Sequence, residues 1–257
     1  MGLIYEPKGK AREYSPLALN VYTGGCDHGC KYCYCASIGT WGTKPIPRKL
    51  AGLDKEATWA KRQILLSFMS DPYCSAEMVH RNTRYALGVL MAHRCSVAIL
   101  SKGGHRCLDD IEMLKAWPDG RVKVGSTLTF VDRCRSASEE PGAASPEERI
   151  DALRFLHRNG IQTWASIEPV IDESESLGAI RASLDCCDAY KVGKMNHRRS
   201  DVDWSSFCVK AVTMIREAGR KLYVKDDLRP FAPSGFLRPE ECDPETVFLP
   251  DRKEACA

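Results

Sequence analysis

The sequence predicts an α/β protein whose parallel sheet is closed, or curled into an open barrel. Short β-branched runs alternate with longer helical ones about six times, the pattern of parallel strands joined by right-handed crossovers. The 257 residues are 44% hydrophobic and 28% charged, which suits one core of ordinary barrel size. The same alternation resumes after the one flexible stretch, Ser136 to Ala144, so that stretch reads as a surface loop and residues 1–257 as a single domain.

In chain order, the strands are expected at Leu19 to Thr23, Ile64 to Phe68, Val97 to Ser101, Val122 to Leu128, Gln162 to Ile167, Ala189 to Val192 and Leu222 to Lys225. Apolar residues three and four apart predict helices at Val79 to His93, Leu108 to Trp117, Pro146 to Asn159, Ser176 to Leu184 and Trp204 to Ala218. The best-marked start is Ser145-Pro146-Glu147-Glu148. Ser145 can cap, Pro146 suits the first helical position, and Glu148 can reach back to the cap amide. Gly160 and Gly219 follow their helices where a left-handed residue is wanted.

Composition excludes several classes. No run of eighteen apolar residues occurs, so no membrane-spanning helix and no membrane partner is expected. The start, Met1 to Pro7, lacks the features of a secretory signal, and a cytoplasmic location is expected. A net charge of +3 demands no polyanionic partner by itself. Thirteen cysteines in such a chain point to reduced thiols, some of them metal ligands, and not to a disulfide framework.

Directly after the first strand runs Thr23-Gly24-Gly25-Cys26-Asp27-His28-Gly29-Cys30-Lys31-Tyr32-Cys33-Tyr34-Cys35. Three thiols spaced C-x3-C-x2-C can wrap one side of a [4Fe–4S] cluster, with glycines giving the backbone freedom for the turn and one iron left free for a small ligand. The alternative is structural zinc on Cys26, Cys30, Cys33 and either Cys35 or His28. Zinc sites commonly bring two separated ligand pairs, and this is one compact loop.

With aromatic Tyr32 before the last cysteine, Cys26, Cys30 and Cys33 resemble the signature of radical S-adenosylmethionine (SAM) enzymes. The resemblance implies a partial (β/α)6-type parallel barrel of the radical SAM kind, with short N- and C-terminal extensions. The cluster loop is then 23–35, the barrel about 17–228 and the C-terminal extension 229–257. It also implies a cluster on those three cysteines, SAM on the open iron, one-electron cleavage to a 5′-deoxyadenosyl radical, and Tyr32 against the adenine.

The chain lacks the Gly-Gly-Glu stretch that many such enzymes use for the SAM amino group. Ser70-Asp71-Pro72-Tyr73 stands in its place and resembles the Ser/Thr-Asp-Pro-Tyr segment of the spore photoproduct lyase-like branch, as do Ser101-Lys102 and Ser126. By that resemblance Ser70, Lys102 and Ser126 hold the polar ends of SAM, Lys102 on its carboxylate. Asp71 and Tyr73 belong to the same segment and join the substrate-pocket candidates, which at later strand ends are Glu168, Lys194, Asn196, Lys225 and Asp226. Cys74, and next Cys35, are candidates to return a hydrogen atom to a product radical; Cys186 and Cys187 read as core. Cys242 and Cys256 are too sparse for the auxiliary-cluster domain of peptide-modifying relatives.

Basic groups gather at Lys8, Lys10 and Arg12, at Lys44, Arg48 and Lys49, and at Lys191, Lys194, Arg198 and Arg199, where a phosphate backbone can be met. The branch acts on thymine-derived bases in DNA, which implies DNA containing a modified thymine as partner. Only 25 residues precede Cys26, where dimer-repairing lyases carry a longer region, so the compact chain looks more like phage or prophage relatives that isomerise amino-acid-modified thymidines such as glycinyl-thymidine. A duplex base would have to be flipped into the barrel mouth. An external one-electron reductant of flavodoxin type is implied, since the chain shows no flavin motif. The rival readings are a repair lyase, a radical SAM enzyme acting on RNA or a small metabolite, and a zinc-bearing nucleic-acid binder without catalysis.

Overall fold

The computed structural model describes residues 2–35, 39, 43–196 and 199–251. His197 and Arg198 beside the sixth predicted strand, and Cys256, lie outside the described residues. Among the described residues ten strands occur: β1 Ile4–Tyr5, β2 Leu17–Leu19, β3 Tyr22–Gly24, β4 Pro45–Pro47, β5 Ile64–Leu66, β6 Val97–Ser101, β7 Val122–Thr127, β8 Gln162–Ile167, β9 Ala189–Val192 and β10 Lys221–Val224. The helices are α1 Leu53–Trp59, α2 Glu77–His80, α3 Asn82–Ala92, α4 Ile111–Lys115, α5 Arg133–Glu139, α6 Pro146–Arg158, α7 Glu173–Ser183 and α8 Trp204–Glu217.

Eight strands form one sheet in the order β1-β2-β5-β6-β7-β8-β9-β10, all parallel except the β1–β2 pair. Sequential order with helical crossovers is the predicted α/β barrel sheet, and its linear order leaves the barrel open. The sheet nonetheless curls round. Glu13 and Tyr14, just before β2, meet the far strands: Tyr223 Oη donates to Glu13 (2.9 Å), and Lys191 Nζ donates to the carbonyls of Glu13 (2.7 Å) and Tyr14 (2.8 Å).

Alternation along each strand divides the core into layers. Ile64, Val97, Ile99 and Val122 face Leu87 and Leu90 of α3, and Ile167, Tyr190 and Val192 face α7 and α8. The interior row is Leu65, Ala98, Trp164, Ala189 and Tyr223. Trp164 fits because Gly125 lies opposite; a Cβ there would fall 2.4 Å from the indole. The tail closes the base of the barrel, with Lys123 Nζ donating to the Val247 carbonyl, Leu249 N donating to Gln63 (2.9 Å) and Ser96 Oγ to the Pro250 carbonyl (2.6 Å).

Several elements depart from expectation. The first predicted strand splits: Leu17–Leu19 enters the sheet, while Tyr22–Gly24 pairs with Pro45–Pro47 in a separate ribbon. Asn20 makes the break, its Oδ1 accepting from Phe68 N (2.8 Å) and Met69 N (3.2 Å). The helix predicted over Val79 to His93 is broken at Arg81 (φ 53°), because buried Glu77 caps α3 by accepting from Thr83 N (2.7 Å) and Arg84 N (3.1 Å). Gly104–Asp110 winds as a 3₁₀ segment before a short α4. The helix predicted from Ser176 starts earlier than its apolar pattern, at Glu173, because Asp172 caps it (3.1 Å to Glu175 N). Ser145 caps α6 as predicted (3.2 Å to Glu148 N), but Glu148 turns to His105 N (3.1 Å) instead of its own cap. Gly160 and Gly219 take φ of +77° and +67° as expected.

Candidate functional site

Residues at the C-terminal ends of the strands line a cavity of about 610 Å³. One wall is the cysteine loop, whose Cys26, Cys30, Cys33 and Cys35 all line the cavity. Gly24 and Gly29 hold left-handed φ of +76° and +62°, and a Cβ on Gly24 would sit 2.6 Å from the Lys44 carbonyl.

The loop is docked by backbone bonds to the α5–α6 connection: Lys31 N to the Glu139 carbonyl (2.9 Å) and Gly142 N to the His28 carbonyl (2.8 Å). The stretch read as a surface loop therefore builds the site. Its Glu140 is buried, accepting from Ser136 Oγ (3.1 Å), from the buried guanidinium of Arg149 and from the Tyr32 hydroxyl. Tyr32 is thus pinned with its ring 5.4 Å from Lys102 Nζ.

Asp71 knots three loops. Its Oδ1 accepts from Tyr73 N (2.8 Å) and Ser101 Oγ (2.6 Å), and its Oδ2 from Lys102 N (2.7 Å), with His28 Nε2 at 3.0 Å. Burial pushes the Asp71 carboxyl up, but the His28 charge and these hydrogen bonds outweigh it and hold it well below the usual range. Burial likewise opposes charge on Lys102, and the Cys30 sulfur and Glu140 carboxylate more than reverse that, raising it. Among the thiols, burial raises Cys26 to about 12 and also raises Cys30, whereas a hydrogen bond from Cys35 lowers Cys33 to about 6.

The opposite wall is a polar chain. Glu168 accepts from Tyr14 Oη (2.7 Å), from Asn196 Nδ2 (3.0 Å) and from Lys225 Nζ. Asn196 also donates to Asp227 (2.9 Å), and Lys10 reaches Asn196 Oδ1 (2.6 Å) and Asp227 Oδ2 (2.9 Å).

Of the residues singled out in the sequence, Cys26, Cys30, Cys33, Cys35, Tyr32, Ser70, Asp71, Lys102, Glu168, Asn196 and Lys225 converge on the cavity. Asp71 holds loops together and is not a free substrate contact. Tyr73 is a correction: it is buried and donates to Asp110 (3.0 Å), away from the cavity lining. Cys74 is another, packed in the outer core with the Asp-Pro-Tyr turn behind it. Ser126 is buried behind Ser101 and donates to that residue's carbonyl (2.7 Å). Lys194 stacks its ammonium 5.7 Å over Trp204 and 5.4 Å over Phe231. Asp226 turns outward, its side chain 69% exposed and 2.6 Å from Arg229, and Asp227 turns inward in its place. Two expected backbone-phosphate contacts are also corrected: Lys191 is buried inside the barrel, and the Arg48 guanidinium faces the carbonyls of Leu3, Asn20 and Gly2 (3.4–3.5 Å).

Sequence reasoning missed Tyr14, Glu140 and Asp227 as site residues, and gave Lys10 only as a phosphate contact. The site contacts of Lys10 and Tyr14 reach residues more than 150 positions away, and Glu140 meets Tyr32 across 108, so no local spacing announces them. Asp227 had a signal, the Lys-Asp-Asp run after the last strand, from which the wrong acid was chosen.

The donor set fits an iron–sulfur cube better than zinc. Four ligands around one zinc bring sulfurs to about 3.8 Å of one another. Among the described residues the one trio of potential ligands gathered within 4.8 Å is Cys26, Asp27 and His28, so the three thiols are more widely spread. His28 Nδ1 lies 3.0 Å from the Gly142 carbonyl and Nε2 lies 3.0 Å from Asp71 Oδ2, so the ring is turned towards Asp71. Ser70 fits a polar cofactor: its Oγ is buried at the cavity with no hydrogen-bond partner among the described residues.

No protein-family profile matches the sequence. An uncharacterised protein of Methanocaldococcus jannaschii is 32% identical over 162 residues, covering 60% of this chain and 60% of that protein. An uncharacterised protein of Mycobacterium tuberculosis is 23% identical over 168 residues, covering 60% of this chain and 49% of that protein. The chain's matches thus span about half to three-fifths of those relatives. Among solved structures, SuiB of Streptococcus suis bound to S-adenosylmethionine superposes with a TM-score of 0.64 at 11% identity, over 81% of this chain and 50% of that one. A mutant of spore photoproduct lyase gives 0.63 at 14% identity, over 86% and 79%. A further spore photoproduct lyase structure, with bound AdoMet and dinucleoside spore photoproduct, gives 0.56 at 13% identity, over 84% and 63%. These structural neighbours are radical SAM enzymes, and the fold is shared with them. Among the described residues no helix is long and apolar enough to cross a membrane.

Proposed function

We propose that the chain is a radical SAM enzyme acting on a thymine-derived base in DNA, with rearrangement of an amino-acid-modified thymidine as its reaction. The observation that carries the first part is the convergence of three C-x3-C-x2-C thiols, an unpartnered buried Ser70 hydroxyl and the Lys102 ammonium on one cavity wall. Cys26, Cys30 and Cys33 would hold a [4Fe–4S] cluster, with SAM on its open iron. Together these supply reductive cleavage of a sulfonium and hydrogen abstraction from an unactivated carbon.

The chain's own residues do the rest. Lys102 offers its charge to the SAM carboxylate and Ser70 a hydroxyl to the SAM polar end. Tyr32, fixed by Glu140, presents a ring face to the adenine. Asp71 sets the Ser70, Ser101 and Lys102 loops against the cysteine loop, so that the polar groups are preorganised. The cavity holds the reacting carbon in place, and Glu168, Asn196 and Lys225 supply fixed donors and acceptors for a base edge. Cys35, which lines the cavity outside the signature, would return a hydrogen atom to the product radical. The DNA assignment draws support from the Ser-Asp-Pro-Tyr segment and from the fold shared with spore photoproduct lyase. The reductant is external, of flavodoxin type.

Anaerobic incubation with dithionite and SAM, with and without DNA carrying modified thymine, tests this. 5′-Deoxyadenosine should form, rise with the modified DNA and vanish in Cys30→Ala, while Lys102→Ala should weaken SAM binding by about tenfold or more, the loss of one charge-assisted bond. Colourless protein holding one zinc, or no SAM cleavage, would sink the reading. Cleavage indifferent to DNA would move the substrate to RNA or a small metabolite.

A further inference from the structure

The far wall of the cavity holds an ammonium ion of the protein's own. Lys10 comes from an exposed 3₁₀ turn, Gly9–Glu13, and its side chain is 57% exposed along its length. Its Nζ nevertheless enters the corner made by Asp227 Oδ2 (2.9 Å) and Asn196 Oδ1 (2.6 Å). The receptor is fixed and the occupant is not. The Asp227 side chain is only 10% exposed, and Asn196 is locked by its amide donations to Glu168 and Asp227.

Charge at this end requires a cation. Glu13, Glu168 and Asp227 bring three carboxylates together. Lys225 is engaged with Glu168 and lies 3.5 Å from Glu13. Lys191 gives its hydrogens to two backbone carbonyls, and burial pushes it well below the ordinary lysine range. Removing Lys10 without replacement leaves Asp227 buried with one amide donor, and with Lys225, already shared between Glu13 and Glu168, as its remaining cation. Asp227 also has spare capacity: Oδ1 is buried and has no hydrogen-bond partner among the described residues.

We infer that the Asp227–Asn196 corner is an ammonium-binding subsite whose internal, displaceable occupant is Lys10, and that the substrate carries a primary amine. This rests on the cavity being the substrate chamber. An incoming ammonium with three donors satisfies Asp227 and Asn196 Oδ1, while Lys10 swings into solvent at small cost because its stem is already there. A hydroxyl or methyl in the same position leaves Asp227 unneutralised, so Lys10 stays and the subsite is closed to it.

The test is calorimetric titration of the anaerobically reconstituted protein with 5-aminomethyl-2′-deoxyuridine and with its 5-hydroxymethyl counterpart. The wild type should prefer the amine by about tenfold, and Lys10→Met should tighten amine binding by a further severalfold by removing the competitor. Asp227→Asn, with its circular dichroism unchanged, should abolish the preference. Equal affinity for the two nucleosides, or weaker amine binding in Lys10→Met, overturns the inference. Lys10→Met decides the matter even if Asp227→Asn fails to fold, provided its circular dichroism is also unchanged, since the contacts it loses are those to Asn196 and Asp227. If the amine preference fails while SAM cleavage persists, only the subsite falls and the radical SAM reading stands.

Discussion

Tyr73 shows how a correct motif can mislead about a single side chain. In Ser-Asp-Pro-Tyr, Asp71 turns the backbone so tightly that it caps the Tyr73 amide, and the ring then points into the outer core, towards Asp110. Tyr73→Phe is therefore expected to lower stability by about 1–2 kcal/mol, one buried hydrogen bond, while leaving SAM cleavage intact. Thermal denaturation beside a 5′-deoxyadenosine assay separates the two; full stability with lost cleavage would return Tyr73 to the pocket. Cysteine spacing was legible because the three thiols lie in one short loop. Asp226 against Asp227 was not, because adjacent residues leaving a strand point opposite ways and only the β10 register decides which one faces inward.

The α5–α6 connection carries the same lesson for a segment. The stretch Ser136 to Ala144 reads as solvent loop, yet its first four residues are the end of α5, Ser136 and Glu140 are buried, and Gly142 lies flat against the cysteine loop. A Cβ on Gly142 would fall 2.1 Å from the Asp27 carbonyl, with backbone on both sides, so neither segment can yield easily. Gly142→Ala should cut bound iron and sulfide severalfold, as measured by chemical analysis, with far-ultraviolet circular dichroism unchanged; normal loading would mean the contact is dispensable. The parallel strands β5 to β10 and the helices α6, α7 and α8 were legible because burial on both faces writes a continuous apolar run and caps write their own signs, as Ser145 does; β1, β4, α1 and α5 were not expected. The break at Arg81 was hidden, because what ends α2 is the Glu77 carboxylate turned back on the next helix's amides.

The barrel as a folded unit carries a pH signature in its base. Burial pushes the Lys123 ammonium down to about 7, helped by the Lys221 charge. Below pH 7 both folded and unfolded chains keep that proton. Between about 7 and the ordinary lysine value the unfolded chain holds more, so stability rises with pH. From about pH 8 the buried thiols of Cys26, Cys74 and Cys107, raised to about 12, oppose the trend, since the unfolded chain ionises them first. Denaturant melts of reduced protein from pH 7 to 8, below the range where thiols ionise, should therefore show a positive slope, and Lys123→Met should reduce it by up to about 1.4 kcal/mol per pH unit, one proton's share. An unchanged slope would place the titration elsewhere. None of this was legible in the sequence, where Lys123 sits among valines without any sign that β7 points it inward. The linear strand order has a consequence for how such a protein diversifies. Its first and last parallel strands are joined by side chains, Glu13 to Tyr223 and Lys191 to the turn before β2, and not by a ladder of amides. Point mutation can rewrite that junction without breaking any backbone pairing, so the opening can be re-tailored to a new guest while the cysteine side, fastened through main-chain bonds, keeps its shape.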